Sequence, residues 1–206
     1  MKKTLLLLFF LLIGFSTVAC DDAGGGSDGI TIPSDPAELQ TFHLAKMCTG
    51  TVIEAAAAYD ASSSGPHKIA LYNQNGYDNT VYDLMFPSQT DLPEAWTTAF
   101  DQPFSDIELV GCLARTETTL VDTCEGYEID EEDRTGTVEI YDAVYELTIY
   151  AAKTGEVLGT EPIETFMDEC PSFVMFTTGP GEDLVEERYG LPDDQLVNLV
   201  ESYVNP

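Results

Sequence analysis

The sequence predicts an α+β domain: a mainly antiparallel sheet of about six strands, open or curved, with helices from the N-terminal and C-terminal ends packed on it. Two observations point there. Between His67 and Phe166 the chain runs through short stretches rich in β-branched and aromatic residues, separated by turn residues. On either side of that region, capping residues precede apolar residues at helical spacing.

The elements follow in chain order. In "PSDPAELQTFHLAKMC" Asp35 can cap, Pro36 suits the first helical position and Glu38 stands three residues after Asp35, so a helix with Leu39, Phe42 and Ala45 or Met47 on its buried side is expected. His43 sits beside that stripe as a surface or packing residue. "VIEAAAAY", Val52 to Tyr59, reads as a second short helix. "HKIALYN" and "TVYDLMF" form a hairpin across "QNGYDN", with Asn75 and Gly76 as its turn. "TDLPEAWTTAF" offers Asp91 as the cap of a short helical turn that carries Trp96 into the core. Four strand-like runs come next, "DIELVGCLA", "TTLVDTCEGYEI", "GTVEIYDAVYELTIYAA" and "EVLGTEPIETF", with Thr154 and Gly155 turning between the last two. In the third run the apolar phase moves from Val138 and Ile140 to Tyr145, Leu147 and Ile149, which predicts a bulge or turn near Asp142. The chain closes on a helix opened by Pro192, with Asp193 and Asp194 at its positive end and Leu196, Leu199, Val200 and Tyr203 on one face.

Three segments precede or make up the domain: residues 1–19, 20–34 and 35–206. Lys2 and Lys3, the apolar run Leu5 to Ile13 and the small residues before Cys20 are ordered as in a secretory leader. The apolar run is less than half of the ~20 residues that span a bilayer. Residues Thr17, Val18, Ala19 and Cys20 resemble the lipobox of bacterial lipoproteins, in which the cysteine is acylated and becomes the first mature residue. Thr17 stands where that family usually has an aliphatic residue, and Thr17 with Ala19 also suits ordinary signal peptidase. Both routes cut before Cys20. The acidic, glycine-rich stretch Asp21 to Gly29 then reads as a flexible tether.

The chain has 37 acidic and 8 basic residues, a net charge of −29. Loss of Lys2 and Lys3 with the leader leaves six bases against the same 37 acids, a net charge of −31. Such a field repels phosphate backbones and anionic headgroups, which argues against nucleic acid as a partner and leaves any membrane attachment to the lipid. Most of the acid is read as a solvated coat. "DEEDRTG" lacks the alternating oxygen-ligand spacing of a calcium loop, and no CxxC pair or histidine cluster suggests another metal. HExxH and Walker motifs are missing from the chain, its GxGxxG match (Gly24 to Gly29) and GxSxG match (Gly25 to Gly29) fall in the glycine-rich stretch read as a tether rather than in a strand–turn–helix context, and it has two histidines, His43 and His67. No cofactor is expected. His67 reads as a partly exposed strand-end residue, and Trp96 and the tyrosines as core residues rather than a sugar-binding face.

With Cys20 set aside, Cys48, Cys112, Cys124 and Cys170 form an even set, as an exported domain favours. If the first two strands of the four-strand region turn within Arg115 to Thr118, Cys124 falls three residues past the partner of Cys112 and on the opposite face. This favours Cys48 with Cys112 and Cys124 with Cys170. Cys112 with Cys124, across a wider loop, is the alternative. Bridges closing loops as long as those of the favoured pairing are each worth ~3 to 5 kcal/mol in the chain-entropy model.

Several phrases in order, "CTGTVIEAAAAYD", "GPHKIAL", "LPEAW", "IELVGCLA", "DTCEGYE", "KTGEVLGT" and "ECPSF", resemble an uncharacterised bacterial cell-surface domain from Cys48 to about Phe173. The resemblance implies an exported, disulfide-containing module and brings no catalytic residues. The function expected is therefore that of a lipid-anchored extracytoplasmic protein with a noncatalytic binding module, its partner an envelope protein, a polymer or a small ligand. The alternatives are a cation-binding surface and a hydrolase using paired carboxylates.

Overall fold

The computed structural model describes residues 30–74, 80–98, 104–129, 134–176, 184–192 and 195–206. Its frame is one mixed sheet of six strands: β1 (Ile69–Gln74), β2 (Tyr82–Leu84), β3 (Leu109–Ile129), β4 (Arg134–Ala151), β5 (Val157–Thr165) and β6 (Val185–Tyr189). They lie in the order β2-β1-β3-β4-β5, with β6 paired to β4. The β1–β2, β3–β4 and β4–β5 pairs are antiparallel; β1–β3 and β4–β6 are parallel. The sheet is not curled, and the turn residues Asn75 and Gly76 of the expected β1–β2 hairpin lie outside the described residues.

The two expected strands "DIELVGCLA" and "TTLVDTCEGYEI" are a single one. β3 runs straight through Arg115–Thr118, where a turn was expected, and reverses only beyond Ile129. Three register shifts against β4 leave Thr116, Val121 and Gly126 as surplus residues, and Gly126 has the positive φ (87°) that a bulge of this kind favours in glycine. Outward side chains explain the error: Thr116 to Thr123 are all exposed, so a strand with solvent on both faces is as polar as a loop. The apolar slip in β4 has a related cause. The surplus residues lie on β3, and β4 alternates without interruption past Asp142; what changes is the covered face. Val138 and Ile140 pack with Cys124, Tyr127, Met167, Val174 and Phe176, whereas Tyr145, Leu147 and Ile149 belong to the main cluster.

The partner strand changes at the same place. β5 pairs with Ala143–Tyr150 and β6 with Thr137–Tyr141 along the same side of β4. Asp142 Oδ1 accepts from the Met167 amide at 2.9 Å, and Thr165 Oγ1 lies 3.0 Å from the carbonyls of both Ala143 and Gly190, holding the crossover against the sheet. β6, "VEERY", has three charges in five residues and is not anticipated from its composition.

Both faces of β1 are buried, so it reads as a near-continuous apolar run. On one face Ile69 and Leu71, with Leu109, Leu113, Tyr145, Leu147 and Ile149, meet α3 (Leu196–Val204) through Leu196, Val200 and Val204. The four-residue spacing of those three residues is one stripe of a helix. Gly159 on β5 lets α3 close in, because a Cβ there would fall 1.9 Å from Tyr203 Oη. Pro192 accepts from the amides of Gln195 and Leu196 just ahead of the helix, and Asp193 and Asp194 lie outside the described residues.

The opposite face, with Ala70, Tyr72, Val110 and Cys112, is covered by the N-terminal segment. Asp35 Oδ1 accepts from the Ala37 amide at 2.9 Å and caps a 3₁₀ turn, Pro36–Glu38. A separate helix, α1 (Thr41–Ala45), restarts after Gln40, and this break changes the phase: His43 and Leu44 face inward while Phe42 is 45% exposed, contrary to the expected stripe. "VIEAAAAY" is a turn rather than a helix. Ile53 and Ala56 are drawn into the core there, and that anchoring overrides alanine propensity. Asp91 does not cap a following helix. With φ 51° it ends α2 (Pro87–Thr90), and a 3₁₀ turn at Glu94–Trp96 buries Trp96.

Two disulfides tie these layers, Cys48–Cys112 and Cys124–Cys170. Cys112 and Cys124 stand on one strand, roughly 40 Å apart at ~3.3 Å per residue, so they cannot meet. The first bridge fastens the N-terminal layer to β3; the second fastens the segment after β5 to the far half of β3.

Candidate functional site

The sheet narrows where β1 and β2 stop, and a cleft of about 280 Å³ opens beside the main core. Asn73 and Gln74 enter it from the end of β1, Asp83 from β2, Arg115 and Tyr145 from facing positions of β3 and β4, and Glu186 to Tyr189 from β6. All of these residues are on strands, and Leu191, just past β6, completes the rim, so the walls are fixed chiefly by backbone pairing.

The register explains how the side chains meet. Tyr189 lies opposite Tyr141 on β4, and their rings stack with centroids 5.2 Å apart. The Arg115 guanidinium covers the Tyr189 ring at 3.6 Å from its centroid. Gln74 is buried, and its Oε1 accepts from the Arg115 amide at 2.9 Å, which fixes β3 just where its first bulge begins. Arg188 donates to Glu186 Oε1 at 3.1 Å, and Tyr189 Oη donates to Glu187. Burial first, and then this bond to Glu187, push the Tyr189 hydroxyl well above its ordinary range, against the opposing pull of Arg115. The Tyr141 hydroxyl donates to Glu139 Oε2 at 2.6 Å, and that bond is the main reason its pKa is pushed up to about 12. In the walls, Asn73 Oδ1 and Arg188 Nε are buried without a hydrogen-bond partner. Such groups are uncommon in a settled interior and mark a polar site.

A smaller groove of about 180 Å³ lies at the crossover from β5, lined by Asp142 and Thr165 and rimmed by Phe166, which is 75% exposed. Its walls carry carboxylates from Glu117, Asp142 and Glu164 and no base.

Neither histidine is where surface chemistry would want it. His67 is 2% exposed, not a partly exposed strand end. Its Nδ1 is hydrogen-bonded to Glu108, its amide donates to the Val204 carbonyl at 2.9 Å, and Ser63 Oγ lies 3.5 Å from Nε2. Hydroxyl, imidazole and carboxylate thus follow in the order of a nucleophilic triad. Around them, the Tyr59 ring meets the imidazole edge-on, Tyr59 Oη donates to the Tyr203 carbonyl, and neither Ser63 nor His67 lines the cleft or the groove. The cluster staples the 59–67 loop to the end of α3 and the entry of β3. His43 Nδ1 accepts from the Gln40 amide at 3.1 Å, and burial lowers its pKa.

The remaining sequence candidates are dispersed. Cys48, Cys112, Cys124 and Cys170 are in disulfides away from the cleft, and Cys20 lies outside the described residues. The first half of "DEEDRTG" lies outside them too. Among the described residues, no group of three or more His, Cys, Asp or Glu side chains is disposed to hold a metal ion, and no helix is long and apolar enough to cross a membrane. Sequence reasoning missed Arg115, Arg188 and Tyr189. The available signal for the two arginines was scarcity: the chain has only eight bases, and Arg115 and Arg188 stand inside strands, where an acidic surface coat does not need them. No family model matches the chain, and no curated protein or solved structure does.

Proposed function

We propose that this chain is a lipid-anchored extracytoplasmic protein whose domain is a noncatalytic binding module, with the cleft between the end of β1 and β6 as its ligand site. One observation carries the binding reading: strands preform a cleft whose walls combine two guanidinium groups, three carboxylates, two amides and a tyrosine pair, without a nucleophile paired to a base. The leader, the lipobox-like Cys20 and the glycine-rich tether support attachment outside the cytoplasm. Two disulfides in a small acidic domain fit an oxidising compartment.

The test is site-specific photocrosslinking in native membranes. A photoreactive residue replaces Leu191, which is 40% exposed at the cleft rim, or Lys153, which is exposed in the β4–β5 turn. Adducts identified by mass spectrometry at 191 and absent at 153 are expected. Equal capture at both positions, or none at 191, overturns the reading.

A further inference from the structure

Resting on that binding reading, we infer that the cleft takes a neutral saccharide unit with adjacent hydroxyls. Charge is the first argument. The chain carries a net charge of −29, and within the cleft Arg115 and Arg188 are answered by Asp83, Glu186 and Glu187. An anionic ligand approaches a repelling molecule and finds no surplus of positive charge at the end of its path.

Hydrogen-bonding capacity is the second. Among the described residues the walls include a buried acceptor, Asn73 Oδ1, and a buried donor, Arg188 Nε, that lack protein partners. A carboxylate only accepts and an ammonium only donates, so either leaves one of the two unmatched. A hydroxyl does both. Both atoms are buried, and the Arg188 side chain that carries one of them is 43% exposed along the cleft wall.

Shape is the third. Guanidinium, amide and carboxylate groups each present two hydrogen-bonding atoms in one plane, a spacing that suits two neighbouring hydroxyls on a sugar ring. The Arg115 guanidinium carbon lies over the Tyr189 ring, 3.6 Å from its centroid. Leu191 supplies an apolar rim for the C–H side of a ring.

The experiment uses the mature chain with Cys20→Ser, exported so that both bridges form, and follows its backbone amide NMR signals. Glucose, galactose and N-acetylglucosamine are titrated against glucuronate and alanylalanine. At least one neutral sugar is expected to shift Asn73, Arg115, Arg188 and Tyr189 saturably, with glucuronate weaker. The substitution R188M is expected to weaken that sugar about tenfold, as loss of a charged hydrogen bond does, while signals from the β4–β5 pair stay in place. Tighter cleft binding by glucuronate or alanylalanine overturns the saccharide assignment and leaves the binding reading standing. No shift with any of the three sugars also overturns it, and the Leu191 crosslink then judges the binding reading separately. A sugar oligomer that binds tighter than its monomer identifies a polymer as the source.

Discussion

Removing the bridges one at a time tests how the layers are held. Cys48–Cys112 spans 64 residues and Cys124–Cys170 spans 46. In the chain-entropy model these separations correspond to about 4.3 and about 4.0 kcal/mol, so loop length alone makes the two nearly equal. Location separates them. Cys112 is 4% exposed within the cluster of Leu39, Leu44, Met47 and Ile53, whereas Cys124 belongs to a small cluster with Val138 and Ile140. Paired alanine variants, Cys48→Ala with Cys112→Ala and Cys124→Ala with Cys170→Ala, are compared with the oxidised parent by urea unfolding and amide hydrogen exchange. Each pair is expected to cost about 3–5 kcal/mol and to raise the urea m-value as the unfolded chain opens. Exchange is expected to quicken over residues 39–56 in the first variant and 167–176 in the second. A loss below about 1 kcal/mol in either variant, or the same segments loosening in both, refutes this view of the bridges.

Other consequences are local. His67→Ala is expected to cost about 2–4 kcal/mol, since it strands Glu108 and opens the core, while Ser63→Ala costs under about 1 kcal/mol in urea titrations; equal losses contradict a structural role for the His67 cluster. Burial depresses the His43 pKa, so its contribution is present above the usual histidine value of 6.5 and declines as pH falls below it; thermal melts across that range should show a decline that His43→Gln reduces. On the alkaline side the Tyr141 hydroxyl is pushed up to about 12 by its bond to Glu139, and burial holds the Tyr189 hydroxyl well above the ordinary tyrosine value of 10.0. The Tyr141 contribution is intact below pH 10 and is lost as pH rises through about 12, which tyrosinate absorbance and far-UV dichroism should record together.

The strand-rich centre and the closing helix were legible because their apolar residues repeat with a period, as Ile69 to Gln74 and Leu196 to Val204 show. Where one surface is covered and then the other, the period misleads. Arg115 to Thr118 looked like a turn because solvent lies on both sides of β3 from Thr116 onward, and the slip after Ile140 reflects a change of covering layer beside a bulge whose surplus residue, Val121, lies on the partner strand. β6 was hidden by its charge. Arg188 pairs with Glu186 along one side of the cleft, an ion pair between alternate residues that composition does not reveal. The cleft itself was illegible for the same reason: Asn73, Arg115 and Tyr189 are far apart in sequence and meet only through the register of four strands. His67 shows a third limit. A histidine after Gly65 and Pro66 suggests an exposed strand end, yet the closing helix returns its Val204 carbonyl to cover that end.

An intact mass of the protein extracted from its native membrane tests the central claim most directly, because it reports leader removal, lipid and bridges in one value. The account predicts a chain that begins at Cys20, bears acyl groups there and has Cys48, Cys112, Cys124 and Cys170 oxidised. A chain that begins at Cys20 without acyl mass, or one that keeps residues 1–19, contradicts it.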